Sequence, residues 1–474
     1  MDGSSPTIVR LTEQVAKLTD EVKRLRTAFE HERNDNRLLR ESLERAQEEN
    51  RRLRELLEQA QREAARQAAP FRRRDDKKKD DGDKKPPGRK PGHPGHHRPV
   101  PDRVDEEHEV PLDRCPECGG EIDDVRPIEQ YIEEIPPVRP RVYRIVTYEA
   151  HCPRCGEVRS THPLQTSRGR GAAKVQLGPR ALAVAAALNK VCGLTMRTTC
   201  RVLKDLLGLS LSPGGLSHAM DRIADRLCGR YEQLLEDIRG SPAVHADETS
   251  WYVGEPGWWL WTFTTPQTTV YRVDGSRGSQ VVADVLGDEF AGMLVSDCLS
   301  SYDPSDYRKH KCIAHHLRAI AKAEEVPTQQ DPSYLSQWKL LLKSVIVIHR
   351  LAVEGTLRPD DVADKRAALQ RWADALLEMP RTQLGDVAVQ NRLKKQRAHL
   401  LGCLEELAAE PTNNRAERSL RPAVIARKLS CGNKTDRGRT TWQVLASLGA
   451  TCRQRGTDFI QHVAHHVRLQ QLPG

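Results

Sequence analysis

Between residues 11 and 67, apolar side chains recur in alternating steps of four and three. They run through Leu11, Val15, Leu18, Val22, Leu25 and Phe29 and on to Ala64, with no proline or glycine in between. That spacing predicts one long helix with a heptad seam, a coiled coil. With Leu11 at d, Asn36 and Asn50 fall at a, where a buried amide costs stability but favours a parallel, in-register dimer. A lone solvated helix is the competing reading. Pro70 ends the pattern, and residues 71–99 carry almost no apolar side chain, which predicts a disordered linker. Arg141 to Glu149 alternates in the manner of a strand. From 176 to 240 helical spacing returns. Met196–Leu207 reads as one amphipathic helix, Gly208 breaks it, and Ser212-Pro213 starts another running to about Leu227. This pair fits a DNA-reading helix-turn-helix and, equally, a plain packed hairpin.

Beyond Gly240 the period changes to two. Ala243–Val253, Trp258–Thr264 and Thr268–Val273 predict a three-stranded meander, Ser279–Leu286 a helix, and Gly292–Asp297 a short apolar strand ending in Asp. Three strands, a helix and a further strand are the opening of an RNase H-like α/β fold. That fold carries one carboxylate on its first strand and another at the end of its fourth, the places of Asp247 and Asp297. A third acid is better marked. Pro411 to Pro422 opens a helix with Thr412 or Asn413 as N-cap, and Glu417 lies in its first turns, one turn before Arg421. A surface Glu–Arg pair is the simpler account of that last spacing. Carboxylates converging from separate elements suit hard divalent ions and two-ion phosphodiester chemistry.

Composition narrows the choices. The chain has 474 residues, 75 Lys+Arg against 66 Asp+Glu, and a net charge of +9. Mean hydropathy is −0.65, and the longest plainly apolar run, Ala181–Leu188, is far below the ~20 residues that span a bilayer. A membrane protein is therefore excluded, and with no secretion signal visible the chain is expected to stay where it is made. All seven Trp lie beyond residue 250, which argues against one evenly built globule. The charge is gathered: the linker supplies +6 and residues 411–474 supply +8, while the heptad segment is neutral and the remainder net negative. Such clusters suit a nucleic-acid partner, although for the linker a solvated spacer fits as well.

Of twelve cysteines, four form two matching CPxCG knuckles, Cys115/Cys118 and Cys152/Cys155. Four thiolates presented from tight turns close a tetrahedral site with no open position, so one structural Zn²⁺ is expected there. His151 reads as a neighbour of that site. Cys312 and His315 form a CxxH pair, too few ligands for a site of its own. It reads as a packed strand-to-helix junction, with His315 near the reacting phosphate as the alternative.

These motifs together resemble the insertion-sequence-66 family of bacterial transposases, nearly end to end. The resemblance rests on PGRKPGHPGHH, the paired knuckles, HADET at 245–249, VSDCLSSYD at 295–303, Cys312-x-x-His315 and, most specifically, TNNRAERSLRP at 412–422. It implies a DDE transposase with an RNase H-like core. Asp247, Asp297 and Glu417 would be catalytic and hold two Mg²⁺, or Mn²⁺ in their place. They would cut the element's ends and join them to target DNA. Arg418, Arg421, Arg427, Lys428, Lys434, Arg437 and Arg439 would line DNA phosphates, or Arg421 would orient Glu417. Cys312, His315 and Asn414 would be accessory. Thr412, where the family often has Asp, and the less basic segment after Cys312 are departures that touch no catalytic acid.

The expected architecture is multidomain: coiled coil 1–69, basic linker 70–100, zinc-ribbon-like module 101–170, helical segment 175–240, catalytic core from 241–314, helical insertion 315–410 and return to the core over 411–474. The expected partners are DNA, a second copy through the coiled coil, and accessory proteins of the same element. The expected setting is a bacterial cytoplasm, on the nucleoid. Two rival functions use the same features: a zinc-containing coiled-coil regulator without catalysis, and an RNase H-like nuclease that only cleaves.

Overall fold

The computed structural model describes residues 98–167, 175–304, 306–325 and 331–468, with scattered helical positions between 21 and 51. Apart from those positions, the heptad segment and nearly all of the basic linker lie outside the described residues.

In 98–167 the regular structure is one antiparallel hairpin, β1 (Glu149–Cys152) with β2 (Gly156–Arg159), turning through the second knuckle. The strand expected over Arg141 to Glu149 does not form over most of its length; β1 starts at Glu149, with Tyr148 bonded to Ser160 just before it. Its alternation has nothing to bury against: Val142 is 93% exposed, and Tyr143, Val146 and Tyr148 also face solvent. Strand preference expresses packing against neighbours, which this segment lacks.

Helix α1 (Pro179–Ala186) continues into a π-turn at Ala187–Val191. Helix α2 (Met196–Leu207) is capped by the Thr195 side chain and ends on Gly208 in the left-handed conformation. Helix α3 (Pro213–Arg239) starts as expected, with Ser212 accepting the Gly215 N–H and Pro213 at its first position. It does not stop near Leu227. Tyr231, Leu234, Leu235 and Ile238 extend its buried stripe, and Gly229 falls on the exposed side, where it does not interrupt it. That stripe shares one apolar core with the sheet and the C-terminal helices, so α3 is a core helix of the α/β body.

The sheet is mixed, in the order β5-β4-β3-β6-β7. β3 (Ala243–Val253), β4 (Glu255–Thr264) and β5 (Thr269–Asp274) form the expected antiparallel meander; β6 (Met293–Ser296) and β7 (Arg308–Lys311) run parallel to β3. Period-two alternation sorts the faces. Val244, Ala246, Trp261 and Phe263 pack with α3 and α4 (Gln280–Leu286). Trp251, Leu260, Tyr271 and Val273 pack with Leu420 and Ala423 of α9 (Asn414–Ser430) and Trp442 of α10 (Asp436–Arg455), and α11 (Phe459–His466) closes the described chain. The expected helical insertion is present as α5 (Ile313–Glu324), α6 (Pro332–Val353), α7 (Pro359–Glu378) and α8 (Leu384–Lys395). Its core, around Trp338 and Leu341, reaches the sheet through Ala243, Met293 and Val295.

Helix α10 also covers the sheet's outer edge. The N–H groups of Thr269, Tyr271 and Val273 donate to Thr451 Oγ1 (3.1 Å), Ser447 Oγ (2.9 Å) and Gln443 Oε1 (3.1 Å), one side chain from each successive turn.

Candidate functional site

Asp247 and Asp297 come together through strand register. β3 and β6 are parallel with His245 opposite Val295, and each aspartate lies two residues further on. They therefore leave neighbouring strands, ~4.8 Å apart, on the same face. Asp297 ends its strand by accepting the Leu299 N–H at Oδ1 (2.8 Å).

Glu417 arrives from α9, in whose first turn it sits. The helix is pinned to that face at several points. Asn413 Nδ2 donates to the Ala246 carbonyl (2.7 Å), Ser419 Oγ shares a hydrogen bond with Thr262 Oγ1 (2.8 Å), and Tyr271 OH donates to the Ser419 carbonyl (2.5 Å). Asn413 holds the expected N-cap position, but its side chain makes no cap bond because it is committed to β3. The ion-pair partner of Glu417 is Arg318 of α5, at 3.2 Å, not the Arg421 that helical spacing suggested.

The electrostatics mark Asp247 as the strained acid. Burial, then the Glu248, Asp297 and Glu417 carboxylates, push its carboxyl up to about 8; the Glu248 N–H, 3.0 Å from Oδ1, only partly opposes this. No cation figures among the causes. Arg318 and Arg277 pair with Glu417 and Glu248, whereas Asp247 has no neutralising side chain; hard oxygen donors so crowded suit a divalent cation of the Mg²⁺ class. The acids stand at electrostatic range: among the described residues no three His, Cys, Asp or Glu side chains are grouped closely enough to enclose a metal ion.

A pH test follows. The folded-state pKa of Asp247 is raised above its unfolded value, so its contribution to stability is full below about pH 4 and is lost as pH rises through about 8. In metal-free buffer, Asp247→Asn is expected to lose less melting temperature than wild type between about pH 5 and about pH 8, a difference on the order of a few kcal/mol. Parallel melting curves for the two proteins would remove the asserted charge strain.

Glu248 was not anticipated. It lies beside Asp247 in sequence but on the opposite face. Its side chain is 3% exposed and held by Arg277 (2.8 Å) and by Tyr302 OH (2.7 Å). Alternation alone places a carboxylate on the core side there; both of its partners are remote in sequence.

Cys312 and His315 form the expected junction. The Cys312 N–H donates to the Ser296 carbonyl (2.9 Å), and its buried thiol accepts the Asn413 N–H (3.1 Å). The chain so ties β7 to the strand carrying Asp297 and to the start of α9. His315 is half-buried in the first turn of α5. Burial, then Arg318, lower its pKa, against the opposing pull of Asp297 and Glu417. Asn414 opens α9, half-buried.

Among the seven basic residues, Arg418, Lys428 and Lys434 are exposed and Arg421 is half-buried. Arg427 bonds Thr249 Oγ1 (3.1 Å) and Ser250 Oγ (2.7 Å), tying α9 to β3. Arg437 pairs with Asp225 of α3, and Arg439 bonds Asp436 (2.6 Å) and the Val273 carbonyl (2.8 Å). Those three guanidiniums hold the body together.

Each cysteine knuckle is organised on its own. Backbone N–H groups of Cys118 and Glu117 lower the Cys115 thiol, and those of Arg154 and Cys155 lower Cys152. Donors gathered around a thiolate suit half of a zinc site each; the two halves are not grouped into one cluster in this structure.

The family model described as "Transposase IS66 family" matches residues 174–441. Two similar proteins of Sinorhizobium fredii are the uncharacterized protein y4qI, 25% identical over 75% of this chain and 70% of its own length, and the uncharacterized protein y4jD, 25% identical over 53% of this chain. The match spans about half the length of y4jD, 54%. Among the described residues no helix is long and apolar enough to cross a membrane.

Proposed function

Because the chain belongs to the IS66 family of transposases, we propose that it is a DDE transposase that cuts the ends of an insertion sequence and joins them to target DNA. The observation that carries this reading is the electrostatic coupling of Asp247, on β3, to Asp297, just after β6, and to Glu417, in the first turn of α9. The strand order, with β3 central and β6 and β7 parallel to it, supports an RNase H-like core.

Asp247, Asp297 and Glu417 would hold two Mg²⁺ ions, or Mn²⁺. When bound, such ions activate the attacking oxygen and stabilise the leaving one. The chain's own residues supply the rest. Asp247 must give up its proton to serve as a ligand, so its raised pKa links occupancy to pH. Arg318 restrains the Glu417 carboxylate, and the pinned N-terminus of α9 fixes its distance from the sheet. Water attacks in cleavage and the freed 3′-hydroxyl attacks in joining, both at the same acids. Exposed Arg418, Lys428 and Lys434, with Arg421, follow the DNA backbone. A dimer through the heptad segment would bring two ends together, on a bacterial nucleoid and with accessory proteins of the same element.

Cys115, Cys118, Cys152 and Cys155 would hold one structural Zn²⁺. Purified protein is expected to contain one zinc per chain, and Cys118→Ser to lose it without lowering the melting transition of the α/β body. Retention of a full equivalent by that variant would remove Cys118 from the site.

The deciding experiment is strand cleavage and joining on duplexes carrying the element's own flanking ends, with and without Mg²⁺. Cleavage followed by joining is expected only with the ion. Cleavage without joining would favour a simple nuclease, and binding without either would favour a regulator.

A further inference from the structure

Six arginines among the described residues have a buried Nε with no acceptor. Five of them, Arg272, Arg350, Arg366, Arg381 and Arg415, satisfy their charge through ion pairs with carboxylates. Arg392 has no ion pair or side-chain hydrogen bond among the described residues. An unpaired, partly buried guanidinium is costly to keep, since it gives up hydration and gains nothing in return.

Its position suggests what offsets that cost. Arg392 lies in α8, which packs against α5. Its charge acts on His315 and His316 in the first turns of α5 and on Cys298. Cys298 directly follows Asp297, and its sulfur is 3.7 Å from His316 Nε2. His315 feels Asp297 and Glu417 as well as Arg392, so the guanidinium stands on the insertion side within electrostatic reach of the same ring as those two acids. His316 is buried and held far towards the neutral form, and burial with Arg318 also lowers His315, so neither ring favours a competing positive charge.

We infer that Arg392 holds a phosphodiester of the DNA substrate beside Asp297, making the helical insertion part of the substrate site. The chemistry is that of a planar fork against a tetrahedral oxyanion, for which Arg is the suited residue. The inference rests on the transposase reading for its ligand, but its test is separable from it.

Equilibrium binding of the full chain to a duplex carrying the element's end is measured in metal-free buffer at several salt concentrations. Arg392→Ala is expected to bind about tenfold more weakly, with the slope of log K against log salt reduced by about one. Arg392→Lys should recover the slope but not all of the affinity. Arg366→Ala, which breaks a structural pair with Glu405, should leave the slope unchanged. In a scan of single neutral methylphosphonate substitutions near the cleavage position, one site should weaken wild type and leave Arg392→Ala unaffected. That coupling separates contact from a folding defect. An unchanged slope in Arg392→Ala, or equal responses to every methylphosphonate, overturns the inference. A wild-type chain that binds but never cleaves would sink the transposase reading while leaving this comparison intact.

Discussion

Asp297→Asn is expected to fold and bind DNA as wild type does and to cut the element's ends at least about a thousandfold more slowly. The substitution is nearly isosteric. Its remaining amide oxygen can still accept the Leu299 N–H that closes the strand, so β6 and its register with β3 should persist. What disappears is one negative charge from a group of three. On the proposed mechanism several kcal/mol of transition-state stabilisation would hang on ions held there, and each ~1.4 kcal/mol is a factor of ten in rate. The check is cleavage of end-bearing duplexes beside a binding isotherm and a melting curve. Wild-type-like cleavage would exclude Asp297 from the reaction; loss of binding or folding would mean that its role is structural.

Gly292→Ala is expected to lower stability by about 3 kcal/mol and to abolish cleavage, although residue 292 touches none of the acids. An added methyl would overlap the Ser241 carbonyl oxygen and press within 2.7 Å of the Phe290 ring. Both neighbours are poorly able to yield. Ser241 precedes β3, and the next residue on the other side, Met293, donates its N–H to the Pro242 carbonyl at 2.8 Å. Separating these two strand starts displaces β6 along or away from β3, and with it the spacing of Asp247 and Asp297. Gly229→Ala is the contrasting control. It lies on the exposed side of α3 with open space around it, so replacing it should stabilise by about 0.5–1 kcal/mol. Thermal melts of both variants, with cleavage assays, test the pair. A Gly292→Ala protein that melts and cuts like wild type would show that the strand starts tolerate separation.

What could be read from the sequence depended on whether a residue's partner is local. The meander, the short strand ending at Asp297 and the helix opening at Asn414 were legible because period and caps are written within a few residues. Asp297 and Glu417 could be placed because one follows the end of a strand and the other lies in the first turn of a helix; Asp247, in the middle of β3, is marked only by its motif. Arg141 to Glu149 shows the converse: alternation without a neighbouring strand produced no strand before Glu149. The expected end of α3 near Leu227 falls short by about three turns, because Tyr231, Leu234, Leu235 and Ile238 continue its buried stripe and Gly229 lies harmlessly on its outer side. Charge was least legible of all. Arg427, Arg437 and Arg439 look like DNA contacts in a basic run, yet their partners are Ser250, Asp225 and Val273. Arg318, within an insertion that offered no motif, pairs with Glu417 from 99 residues away, and Arg392 of the same insertion acts on His315 and Cys298. Ion pairs across about a hundred residues leave no spacing to recognise.

The row of Gln443, Ser447 and Thr451 has a consequence for assembly. A bare outer strand is an invitation to add another, either from a second copy or from an unfolded neighbour. Here the outward donors of Thr269, Tyr271 and Val273 are already occupied by a helix of the same chain. This flank cannot be lengthened into a continuous intermolecular sheet without first peeling α10 away, and α10 helps bury Tyr271 and Val273 on the acids' face of the sheet. Self-association through this border would therefore be self-defeating, since it would loosen the support of the face that carries the three acids. Any pairing of two copies would have to use other surfaces, leaving this border and the face it supports undisturbed.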